Sequence, residues 1–74
     1  MDARFLELLA EALERDDPLT SGTRLRDVEE WDSLGMLSTL SMVDEEYEIV
    51  LTNAVISAAD TPADIWDAVV AARE

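Results

Sequence analysis

A chain of 74 residues has room for one domain with a thin hydrophobic core, and it contains neither cysteine nor histidine. That excludes disulfides, thiolate chemistry, and both the commonest general base and the commonest metal ligand. Eighteen Asp and Glu against five Arg, with no Lys, leave a net charge of −13, which repels nucleic-acid phosphates and anionic membranes and favours steered encounter with basic protein surfaces. The hydrophobic share of 49% belongs to a folding chain rather than to a disordered acidic tail. No apolar run approaches the roughly 20 residues of a membrane span, and Met1-Asp2-Ala3-Arg4 lacks the layout of a signal peptide. A cytoplasmic monomer that neither inserts into membranes nor binds nucleic acid is therefore expected.

The first helical run is predicted over Ala3 to Arg15. Phe5, Leu6, Leu9, Ala12 and Leu13 recur at spacings of three and four, while Glu7, Glu11 and Glu14 lie largely off that face. Asp16-Asp17-Pro18 is expected to end it, because the residue before a proline avoids the helical region. Pro18 to Trp31 then reads as a long connection. Thr20-Ser21-Gly22-Thr23 supplies its turn chemistry, and Leu19, Leu25 and Val28 pin it to a core. The second run begins at Asp32-Ser33 and reaches about Tyr47, with Asp32 as N-cap and Leu34, Leu37, Leu40 and Val43 as its apolar row. Gly35 in its first turn is a mild cost to helix propensity. Asp44, Glu45, Glu46 and Glu48 crowd the end of this run, where the helix dipole disfavours anions. Ile49-Val50-Leu51 has no partner strand and reads as an extended connection into the core.

A short helix is expected from Asn53 to Ala59, capped by Thr52 or Asn53. Asp60-Thr61-Pro62 is expected to start a final helix, with Asp60 or Thr61 as cap, Pro62 in the first turn, and Ile65, Trp66, Val69 and Val70 facing inward. The sum is an all-α domain over residues 1–74. It is a small four-helix bundle, three main helices and one short one, with a long loop between the first two.

The segment Glu30-Trp31-Asp32-Ser33-Leu34-Gly35 joins the long connection to the second helix. Asp-Ser-Leu at a helix start, followed by the acidic and aromatic end Asp44-Glu45-Glu46-Tyr47-Glu48-Ile49 and by the short and final helices in order, resembles the acyl and peptidyl carrier proteins over nearly the whole chain. The resemblance implies that Ser33 is esterified with 4′-phosphopantetheine taken from coenzyme A. It implies a supporting role for Asp32 in the complex with a phosphopantetheinyl transferase, near that enzyme's metal. It also implies recognition of Leu34, Asp44, Glu45 and Glu48 by acyl-loading and acyl-transferring enzymes with basic docking surfaces. Leu37, Leu40, Val43 and Ile56 become candidates for lining an acyl pocket. A serine modified by a separate enzyme needs no activation by its own chain, so the lack of His and Cys fits a carrier and not an enzyme. Without His or Lys, a hydrolase built on Ser33 has no base.

Some residues depart from the fatty-acid carriers of the family. Gly35 stands where an acid is usual, Ser38 and Ser41 occupy the middle of the second helix, Thr39 replaces a core leucine, and Asn53-Ala54-Val55 lacks the usual acids. These point to a dedicated carrier of a specialised pathway, and Thr39 hints at a smaller or more polar cargo. The cargo class, fatty acyl, aminoacyl or polyketide, stays open. The alternative reading is an acidic interaction module without a prosthetic group.

Overall fold

In the computed structural model, which describes residues 2–73, local capping chemistry sets out four α-helices: α1 (Ala3–Ala12), α2 (Ser33–Tyr47), α3 (Asn53–Ala58) and α4 (Pro62–Arg73). Each starts on a side-chain acceptor. The Asp2 carboxylate accepts from the Arg4 N–H at 3.0 Å, Asp32 from Gly35 at 2.8 Å, and the Thr52 hydroxyl from Val55 at 3.2 Å. At α4 the bonding is reciprocal. The Thr61 hydroxyl accepts from the Asp64 N–H at 3.3 Å while Asp64 Oδ2 accepts from the Thr61 and Asp60 N–H groups at 3.2 and 2.9 Å, with Pro62 as the first helical residue. No strand occurs among the described residues, and none of their helices is long and apolar enough to cross a membrane.

The first helix ends earlier than the sequence suggests, and not at Pro18. Leu13 closes it and Glu14 takes the left-handed conformation at φ 55°. The Arg15 N–H reaches back to the Ala10 carbonyl at 2.9 Å and the Glu14 N–H to Glu11 at 3.0 Å, the paired bonds of a Schellman cap. Glu48 ends α2 in the same left-handed region at φ 57°. Between α1 and α2, residues 13–32 carry only a short 3-10 turn, Leu25–Asp27. This segment is fastened to the start of α4 and the turn before it, by the Leu25 N–H to the Asp60 carbonyl at 2.8 Å and by the Ala63 N–H to the Ser21 carbonyl at 3.2 Å.

The helices pack in a bundle-like manner around one core. Phe5, Leu9 and Leu13 from the α1 side, Met42 and Val43 from α2, Ile56 from α3, and Ile65 and Val69 from α4 meet there. Leu19, Leu25 and Val28 of the connection and Ile49 after α2 close it. Phe5, Tyr47 and Trp66 stack as a mutual aromatic trio with centroids 5.2–6.0 Å apart, tying α1, α2 and α4 at one end. Burial there leaves the Tyr47 hydroxyl without a protein partner and pushes its pKa up. Ile49 is buried but Val50 is 83% exposed, so the apolar run after α2 contributes alternate residues rather than a whole segment.

The apolar row proposed for α2 needs correction. Leu34 and Leu37 are 71% and 58% exposed, and the buried residues are Gly35, Thr39, Met42 and Val43. The reason is geometric. Residues in steps of three advance about 300° around a helix, so the row Leu34, Leu37, Leu40, Val43 winds backward by roughly 60° per step. It begins at the surface and reaches the core only at Val43.

Candidate functional site

The first turn of α2 is built around a close approach. Arg15, just past α1, holds Glu30 by a 2.8 Å ion pair, which fixes the end of the connection against the start of α2. The Glu30 carboxyl lies below its ordinary value of 4.5, first through a hydrogen bond from its backbone and then through the Arg15 guanidinium. The Glu30 carbonyl packs directly over the Cα of Gly35, and a Cβ there would collide with that oxygen and lie 2.9 Å from Leu13 Cδ2. Gly35 is therefore a packing requirement, a role that its sequence context did not signal. Its φ is not positive; what matters is the missing side chain.

Ser33 opens α2 as its first helical residue and is exposed. Asp32 beside it is extended, and its Oδ1 is taken by the Gly35 N–H. The first-turn N–H groups and the positive end of the helix dipole lie next to the Ser33 hydroxyl, an environment that tolerates an anionic phosphodiester. A group esterified there meets no core side chain, since the buried face of α2 lies on the opposite side. The residues at this position thus fit a phosphopantetheine ester.

The other site residues fall into three places. Leu34 and Leu37 flank Ser33 on the exposed face. Asp44, Glu45 and Glu48 are exposed at the far end of α2, about 16 to 22 Å from Ser33 along the axis. Val43 and Ile56 are fully buried and Leu40 is half-buried against the core, so these three lie together inward while Leu37 does not. Thr39 is also fully buried, and its hydroxyl donates to the Gly35 carbonyl at 2.9 Å. That bond satisfies the one polar group on the inner face of α2 locally, so the hydroxyl is not directed at a cargo.

Two surface grooves run along the α1 side of α2. The larger, about 600 Å³, has Leu8, Leu37 and Met42 on its floor and walls and Glu11, Glu45 and Glu46 around it. The smaller, about 270 Å³, lies nearer Ser33 and takes in Leu13, Leu34 and Ser38. Periodicity alone does not signal the α1 contribution, because Leu8 only borders the α1 core face and Glu11 lies on the exposed side one turn on. No family model, curated protein or solved structure matches this chain.

Proposed function

We propose that this protein is a phosphopantetheine-dependent carrier, with Ser33 as the attachment residue. The observation that carries the proposal is the placement of Ser33, exposed at the first position of the 15-residue helix α2 immediately after its Asp32 cap. The resemblance of the Asp32-Ser33-Leu34 segment and of the helix order to the carrier proteins adds to it. When bound, the arm supplies a terminal thiol that carries an acyl group as a thioester. The chain's own residues do the rest. Ser33 offers an unhindered hydroxyl, the N-terminal turn of α2 accommodates the phosphate charge, and Asp32 holds that turn in shape. The exposed Leu34 and the acids Asp44, Glu45 and Glu48 offer basic partner enzymes an apolar contact and a steering field. Tethering the cargo raises its effective concentration at each docked enzyme. Departures such as Gly35 and Ser41 favour a dedicated carrier in a specialised pathway, working in the cytoplasm as a monomer.

The test is direct. The protein is incubated with coenzyme A, magnesium and several broad-specificity phosphopantetheinyl transferases, and intact mass is measured. One added phosphopantetheine on the wild type and none on Ser33→Ala is the expected result. No gain with any transferase rejects the carrier reading, and a gain that survives Ser33→Ala rejects the site.

A further inference from the structure

The exposed leucines of α2 are not isolated on a polar face. Leu34 lines the groove shared with Leu13, and Leu37 lines the larger groove shared with Leu8 and Met42, so both open toward α1. On the opposite side of α2, Met36 lies against Ser57 of α3. The larger groove runs along α2 from Leu37 to the level of Glu45, about 12 Å or two helical turns. That is the length over which an amphipathic helix presents apolar side chains at i, i+3 or i+4, and i+7.

Charge narrows the occupant. Glu11 on the α1 wall and Glu45 on the α2 wall form no ion pair with any Arg among the described residues, whereas nearby Glu46 is paired with Arg4 at 3.4 Å. None of the five Arg lines the groove. An anionic lipid surface is repelled by such a rim. So is a second copy of a chain that itself carries −13.

We propose that the cleft between α1 and α2 docks a basic amphipathic helix of a partner enzyme. Its apolar side chains sit on Leu8, Leu37 and Met42, and its Arg or Lys residues face Glu11 and Glu45. This deepens the carrier reading by giving the partner's footprint beside Ser33 and by placing α1 within it. Exposed charge pairs contribute little each, so the apolar seat holds the helix and the acids set its orientation and rate of arrival.

The experiment uses the full chain carrying Ser33→Ala, so that its outcome is independent of arm attachment. The 15N-labelled protein is titrated at low salt with a synthetic helical peptide bearing Leu along one face and Arg on its flanks. A second peptide with each Arg replaced by Glu is titrated in parallel. Saturable amide shifts are expected at Leu8, Glu11, Leu37, Ser41, Met42 and Glu45, with the Glu peptide silent. Leu37→Ser and the pair Glu11→Arg with Glu45→Arg should each weaken binding about tenfold. Val50→Ser, which removes an apolar side chain outside the cleft, should leave it unchanged. Shifts confined to α3 and α4, shifts spread over the acids of all four helices, no binding at all, or an unaffected Leu37→Ser protein with intact helical circular dichroism would each overturn the proposal.

Discussion

Replacing Gly35 by Ala sets two effects against each other. In an exposed helix the change gains about 1 kcal/mol of helix propensity. Here the new methyl meets the Glu30 carbonyl oxygen and the Leu13 side chain, and the oxygen belongs to backbone that Arg15 holds in place. Overpacking of this kind costs roughly 1–3 kcal/mol, so the clash should win. Gly35→Ala is expected to be less stable by up to about 2 kcal/mol in urea denaturation, and an equal or higher midpoint would show that the connection yields easily. The same residue shows what a sequence conceals. In the sequence Gly35 is only a weak helix former at the start of α2, because the atom that makes it necessary comes from Glu30 through a loop. Thr39 is a similar case: the sequence shows a hydroxyl where a leucine would pack, and only the fold shows that hydroxyl bonded one turn back to Gly35. Ser33 and its Asp32 cap were legible because capping depends on neighbours within three residues.

At the level of elements, helix starts were readable and so was the end of α2 at Tyr47, whereas α1 stops at Ala12, short of the expected Arg15. Asp32, Thr52 and Thr61 cap by local hydrogen bonds that a sequence announces. Both α1 and α2 end on a left-handed Glu, Glu14 and Glu48, where no glycine advertises the stop. The side on which a helix is buried was legible for α1 and α4, whose apolar residues repeat in steps of three and four together. It was not legible for α2, whose leucines step by three and wind out of the core. The join between α1 and α2 carries a pH signature. Glu30 is held below its ordinary value of 4.5 by its backbone and by Arg15, so the unfolded chain takes up a proton there before the folded one does. The stabilising contribution of this carboxylate is therefore complete above about pH 4.5 and is lost as pH falls through the lower folded-state value. Many other acids titrate in the same range, so the comparison must be with Glu30→Gln. The wild type should melt higher than Glu30→Gln at pH 7, and the gap should close as pH falls below 4.5 and through the lower folded-state value. A gap that is constant with pH would mean that the charge of Glu30, held by its backbone and by Arg15, does not stabilise the join.

Across the whole molecule the dominant electrostatic fact is crowding of like charge. A net −13 is carried on a body of 30 × 23 × 20 Å. At 0.01 M salt the Debye length is about 30 Å, so nearly every carboxylate feels every other; at 0.15 M it is about 8 Å and only neighbours interact. Unfolding relieves this repulsion by spreading the charges, and salt removes that incentive. Salt also weakens the favourable pairs Arg4–Glu46 and Arg15–Glu30, which acts in the opposite sense. Exposed pairs contribute about 0.2–1 kcal/mol each, and among the described residues only three ion pairs offset the surplus of acids. Repulsion should therefore decide the sign. The melting temperature is expected to rise with NaCl, mostly between 0.01 and 0.15 M, by about 5 °C for each kcal/mol gained in a domain of this size. The proposed docking of a basic partner should have the opposite dependence, because the acids of the α1–α2 cleft, which repel one another within the chain, would attract the partner's cations. Thermal melts by circular dichroism across a NaCl series test the first half, with sucrose at matched osmolality as the uncharged control. A melting temperature that falls with NaCl would show that the few ion pairs outweigh the surplus charge, and one that rises equally with sucrose would assign the effect to solvent exclusion rather than screening.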